Sequence, residues 1–115
     1  ADGAPMQHCY TTANSDLSHD MVFNVIPGRF RNVLWIGCEG DGLCYYSYAG
    51  RRIKRLELPG TPGFRCIHAV AEASDSVIWA VSNWHGLFRI SLDPSADEPR
   101  IFSVRQYLMD NSERG

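Results

Sequence analysis

Long apolar stretches are absent from this sequence. Its uninterrupted hydrophobic runs extend over only a few residues, far short of the roughly 20 that span a bilayer as a helix. No basic segment followed by an apolar core opens it, so no secretion signal is visible. A cationic surplus is missing too, because 11 Lys and Arg stand against 13 Asp and Glu for a formal charge of −2. Sequence-independent nucleic-acid binding needs such a surplus, and no nucleic-acid partner is expected. Catalytic signatures are equally scarce: there is no Gly-x-Ser-x-Gly, no His-Glu-x-x-His and no phosphate loop. The chain is therefore not read as an enzyme. Four cysteines, at 9, 38, 44 and 66, contain no C-x-x-C pair, which weakens both a zinc-knuckle and a thioredoxin-like reading. No metal and no cofactor is expected. The last absence is an apolar stripe at helical spacing, and without one little helix can form.

What is present is a series of short segments rich in β-branched and aromatic residues. They are Val22–Ile26, Val33–Gly37, Leu43–Tyr46 and Ile53–Leu58, then Cys66–Val70, Val77–Val81, Leu87–Leu92 and Ile101–Tyr107. Gly, Pro, Asp, Asn or Ser bounds each one, which is the pattern of strands and turns. The fold class is all-β. Sliding the sequence by 44 residues superposes Trp35 on Trp79, Gly42 on Gly86, Leu43 on Leu87 and Val33 on Val77. It also lays Phe23 on Ile67 and Ile26 on Val70. Four strands per unit of about 44 residues is the arithmetic of a β-propeller blade. The whole chain, 1–115, reads as one propeller segment of two four-stranded antiparallel blades. Unit 1 covers about 20–58 and unit 2 about 64–107, with a leading outer strand around Gln7–Thr12.

Strands such as Leu34-Trp35-Ile36 and Ile78-Trp79-Ala80 are apolar at successive positions, as suits a sheet buried on both faces. Trp35 and Trp79 are thus expected to pack between blades. The run Arg51–Arg55 is expected on a solvated edge, where cationic residues oppose sheet-to-sheet aggregation. Cys66 falls on Val22 and Cys44 on Phe88, so buried free thiols are expected at both. Cys38 and Cys44 flank one hairpin, where a disulfide would be strained.

Two stretches resemble a known family. Leu17-Ser18-His19-Asp20-Met21-Val22-Phe23-Asn24-Val25-Ile26, followed by Leu34-Trp35-Ile36-Gly37-Cys38-Glu39-Gly40-Asp41-Gly42-Leu43, is similar to the two-component regulator propeller repeat. The second unit carries the likeness at Ile78-Trp79 and Gly86-Leu87-Phe88. The departures are Cys38 in place of Thr, Asp16 in place of Gly, and the turn at Pro27–Arg31. The resemblance implies a noncatalytic ligand-sensing module of a bacterial extracytoplasmic receptor, periplasmic or extracellular, several of which respond to carbohydrates. It implies a membrane connection only through flanking segments. The alternative is a small lectin-like or scaffold protein whose two-blade chains assemble into a complete propeller. Two blades cannot close a ring, so the partners expected are further blades of a longer receptor or other copies of the chain, besides a small-molecule or oligosaccharide ligand.

Trp84 breaks the repeat, since Gly40 stands 44 residues before it. The rim that carries its turn would also collect His85, Asn83, Glu39 and Asp41, with His19 and Asp20 from the connection before Val22. An aromatic surface beside carboxylates and amides suits a sugar, whose ring stacks while its hydroxyls are hydrogen-bonded. A subunit contact or a plain loop is the competing reading of the same residues.

Overall fold

The computed structural model of the chain describes residues 9–56, 58, 61, 63–83 and 85–108. Among them are eight strands and no helix: β1 (Val22–Pro27), β2 (Val33–Cys38), β3 (Leu43–Ser47), β4 (Arg52–Leu56), β5 (Ile67–Glu72), β6 (Val77–Ser82), β7 (Gly86–Leu92) and β8 (Ile101–Tyr107). Each successive pair within β1–β4 and within β5–β8 is antiparallel, giving two four-stranded meanders, neither closed on itself. Gly42 and Gly86 hold the equivalent turns, with φ of 77° and 85°. Those values favour glycine because it has no Cβ to clash.

The two sheets repeat in register. Val33 pairs with Ser47 as Val77 pairs with Ser91, and Trp35 with Tyr45 as Trp79 with Arg89, a constant offset of 44. The first strands follow a different offset. Val22 pairs with Cys38 and Ile67 with Ser82, so β5 lies 45 residues after β1. The turn before β2 holds residues 28–32, whereas the turn before β6 holds only 73–76, and this shorter turn moves the equivalence by one. Val22 therefore matches Ile67, not Cys66, and Phe23 matches His68, not Ile67. The rings of Phe23 and His68 stack at 4.1 Å with 10° between their planes, so equivalent positions of neighbouring units touch. Both β1 and β5 carry a bulge at this same point. Cys66 is accordingly corrected from a strand position to the connector before β5, with φ of 54°.

Alternation along the strands decides how the sheets stack. One face of the first sheet presents Val33, Trp35, Leu43, Tyr45 and Leu56, and it packs onto Val70, Ile78, Ala80, Phe88 and Ile90 of the second. The opposite face of the first sheet, with Ile36, Cys38, Cys44 and Ile53, is covered by Leu17 and Tyr10 from the chain before β1. The sheets thus stack front to back. The front of the second sheet has no covering element among the described residues, leaving Val81 42% and Phe102 80% exposed. Trp35 is fully buried, while Trp79 is only partly buried on that open face. Trp35 thus packs between sheets as expected, whereas no second sheet lies in front of Trp79 among the described residues.

Carboxylates reach across the seam at its far end. Glu72 accepts from the Trp35 indole at 2.9 Å, and Glu98 accepts from Ser47 at 2.9 Å and Tyr45 at 3.2 Å and pairs with Lys54 at 3.0 Å. Lys54 and its hydrogen-bonding neighbours hold the Glu98 carboxyl below the usual range, while burial and the Glu98 charge push the Tyr45 phenol up to about 12. The Arg31 guanidinium donates to the carbonyls of Asp75, Asp93 and Ala96, tying the turn before β2 to two loops of the second sheet.

The expected leading strand does not form where it is described. Residues 9–12 are coil and turn, and Gln7 and His8 lie outside the described residues. Thr11 N–H donates to Asn14 Oδ1 at 2.8 Å, and Asn14 Nδ2 donates to the Cys9 carbonyl at 2.8 Å. Side-chain bonding of this kind offers the backbone an alternative to a strand ladder.

Candidate functional site

Connector residues 63–66 join the sheets and stitch together the turns of both. Gly42 N–H donates to the Phe64 carbonyl at 2.9 Å and Cys66 N–H to the Gly40 carbonyl at 3.0 Å. Asn83 N–H donates to the Cys66 carbonyl at 3.1 Å, and the buried Ser82 hydroxyl donates to the carbonyls of Arg65 and Gly63. The left-handed backbone at Cys66 turns one residue's carbonyl toward the second turn while its N–H serves the first. A polar cleft results at the rim of the seam. It encloses about 230 Å³ and is lined by Glu39, Arg65, Cys66, Asn83 and His85.

Three of the residues picked from the sequence meet here: Glu39 at the end of β2, and Asn83 and His85 in the turn between β6 and β7. The His85 ring lies against Gly63, where a Cβ would collide with it, and the His85 carbonyl accepts from Gln106 at 3.0 Å. Asp41 stands beside this cleft, its carboxylate 3.6 Å from Arg65 Nε. It lines an adjoining depression of about 330 Å³ with Leu58, Thr61 and Phe64. His19 and Asp20 are not brought in. His19 Nδ1 accepts from the Met21 N–H at 2.9 Å, and Asp20 Oδ1 from the Thr12 N–H at 2.8 Å, so both organise the segment that covers the back of the first sheet. Trp84 lies outside the described residues.

Arg65 and Cys66 are the cleft residues that sequence reasoning missed. The assignment of Cys66 to a strand hid them; the signal lay in Thr61-Pro62-Gly63, a turn cluster that marks the connector. Burial, reinforced by the Glu39 charge, raises the pKa of the Cys66 thiol, so it stays protonated at neutral pH. The cleft then offers a carboxylate, a guanidinium, an amide and an imidazole beside that thiol. Among the described residues no group of His, Cys, Asp and Glu is placed to hold a metal ion.

A second cluster sits behind the first sheet. Ser18 Oγ lies 3.0 Å from Cys38 Sγ, and the Cys44 thiol donates to Ser18 Oγ at 3.6 Å. Both thiols are buried and free. Hydrogen bonding from Cys44, from Ser18 and from the backbone at Gly40 and His19 lowers the Cys38 pKa, and the same contact raises that of Cys44.

No family model, curated protein or solved structure matches the chain.

Proposed function

We propose that the chain is a noncatalytic, ligand-sensing segment of a β-propeller, of the kind found in bacterial extracytoplasmic receptors, and that its ligand is a carbohydrate. The observation that carries this reading is the cleft at the rim of the seam, lined by turns from both repeat units. A ligand held by Glu39 of one unit and by Asn83 and His85 of the next would bridge the two sheets. Binding would thereby be coupled to their relative position, which is what a sensor requires. A set of acceptors and donors suits hydroxyl groups, and Trp84, which stands between Asn83 and His85 in the sequence, would supply the stacking surface that sugar rings prefer. The resemblance of Leu17–Ile26 and Leu34–Leu43 to the two-component regulator propeller repeat supports the same assignment.

The test is calorimetric titration of the chain with neutral malto-, cello- and xylo-oligosaccharides. Glu39→Gln, Asn83→Ala and Trp84→Ala should each weaken binding at least about tenfold, equivalent to roughly 1.4 kcal/mol, with unchanged melting temperature. Failure of all three series to bind, or binding indifferent to the three substitutions, overturns the reading.

A further inference from the structure

Among the described residues, no carboxylate meets Arg89 or Arg105. They are direct cross-strand partners on the open front of the second sheet. Like charges placed opposite one another in a sheet destabilise it, so an isolated sheet gains nothing from this pair. The repeat supplies its meaning. Ser91 and Arg89 take the places of Ser47 and Tyr45, and because β8 follows β7 as β4 follows β3, Arg105 takes that of Lys54. In the first sheet, Ser47, Tyr45 and Lys54 are the three groups that hold Glu98 across the seam. The open face thus reproduces that three-donor cradle with two guanidinium groups. Trp79 likewise repeats Trp35, whose indole donates to Glu72 of the adjoining sheet.

We propose that the front of the β5–β8 sheet is a docking surface for a further four-stranded unit of the same repeat, one that places a carboxylate between Arg89, Ser91 and Arg105 as Glu98 sits between Tyr45, Ser47 and Lys54. The charge of the face selects this occupant. Two copies meeting front to front would oppose four arginines. The back of a second copy's first sheet is already covered by Leu17 and Tyr10, and its β3–β4 turn, Tyr48-Ala49-Gly50-Arg51, has no acid to offer. One position sets the fit. Gly37 lets the backbone of β5 approach, since a Cβ there would run into the Ile67 carbonyl. Its counterpart Val81 is a projecting side chain, 42% exposed, so the incoming unit sits further out at that corner.

The proposal rests on the repeat architecture of the functional reading and not on its ligand, so loss of sugar binding would leave it intact. The test extends the full chain: residues 57–108 are repeated once, joined after Tyr107, which is the repeat counterpart of Leu56. The added unit brings its own copies of Glu72 and Glu98. The fusion is made with Val81 and with Val81→Gly, to allow for the close approach at that corner. At least one version should melt in a single transition above the parent chain. In that version Arg89→Gln with Arg105→Gln should lower the midpoint by roughly 5–10 °C, while the same pair leaves the parent unchanged or slightly raised. An added unit that melts separately in both versions, or an equal loss in fusion and parent, overturns the proposal.

Discussion

Trp35 and Trp79 occupy the same position of two repeat units, and only one of them has a sheet in front of it. Their truncation measures what the seam contributes. Trp35 is wholly buried, donates to Glu72 at 2.9 Å and meets the edge of Tyr45 with ring centroids 5.9 Å apart. Trp35→Ala should cost about 3–5 kcal/mol, the usual range for deleting a large aromatic from a packed core. The lost hydrogen bond adds little, because Glu72 keeps the Arg29 N–H at 2.6 Å and is partly open to water. Trp79 is partly exposed, and its main ring neighbour is Tyr107 of its own sheet, 5.9 Å away. Trp79→Ala should cost about 1–2 kcal/mol, since only the area already removed from water is forfeited. At roughly 4–6 °C per kcal/mol for a chain of this size, the two midpoints should separate by at least about 4 °C. Thermal unfolding followed by far-ultraviolet circular dichroism reads the difference. Equal losses, or a larger loss at Trp79, would refute the front-to-back arrangement on which the seam rests.

Thiol accessibility gives a second check: Cys9 should react with an aromatic disulfide reagent in the folded chain, Cys66 more slowly, and Cys38 and Cys44 at least about a hundredfold slower, until the chain unfolds. Prompt labelling of three or four thiols would contradict the covering of the first sheet by residues 9–20. The Glu98 carboxyl has a lowered folded-state pKa, so its contribution is present above the unfolded pKa and is lost as pH falls through the folded value. Melting curves of the wild type and Glu98→Gln should therefore differ at pH 7, and the gap should narrow progressively as pH falls below the ordinary Glu value of about 4.3; a gap that does not shrink on acidification would assign the effect to packing. Gly37→Ala should cost about 1–3 kcal/mol, as overpacking does, because the new methyl meets the Ile67 carbonyl, and a neutral result would mean the sheets are not held at this distance.

The strands were legible because each is short, apolar and bounded by turn residues, and all eight lie within two residues of where composition puts them. The repeat was legible through Trp35 and Trp79, Gly42 and Gly86. Its register was not, at the first strand, because one residue fewer in the β5–β6 turn leaves no mark on composition yet moves Val22 from Cys66 to Ile67. That slip hid the connector, and with it Arg65 and Cys66. Among the site residues, Glu39, Asn83 and His85 could be found because both turns of equivalent units must share a rim. His19 and Asp20 share that rim in sequence order, but their side chains satisfy nearby backbone N–H groups, a local competition that spacing alone does not reveal.

Equivalent residues in different surroundings say more about this chain than its composition does. A sheet that had evolved to face water would carry polar groups at Val81 and Phe102 and would avoid facing Arg89 with Arg105. Here the front of the second sheet keeps the apolar tryptophan of a covered face and strengthens the charge of its carboxylate cradle. The back of the first sheet, by contrast, is finished: Leu17 and Tyr10 close over Ile36, Cys38 and Ile53. One end of the stack is capped by its own chain, and the other leaves Val81, Phe102 and the Arg89–Arg105 pair without a covering element among the described residues, where the proposed further unit would sit. Such polarity is what a front-to-back repeat requires if it is to grow in one direction only.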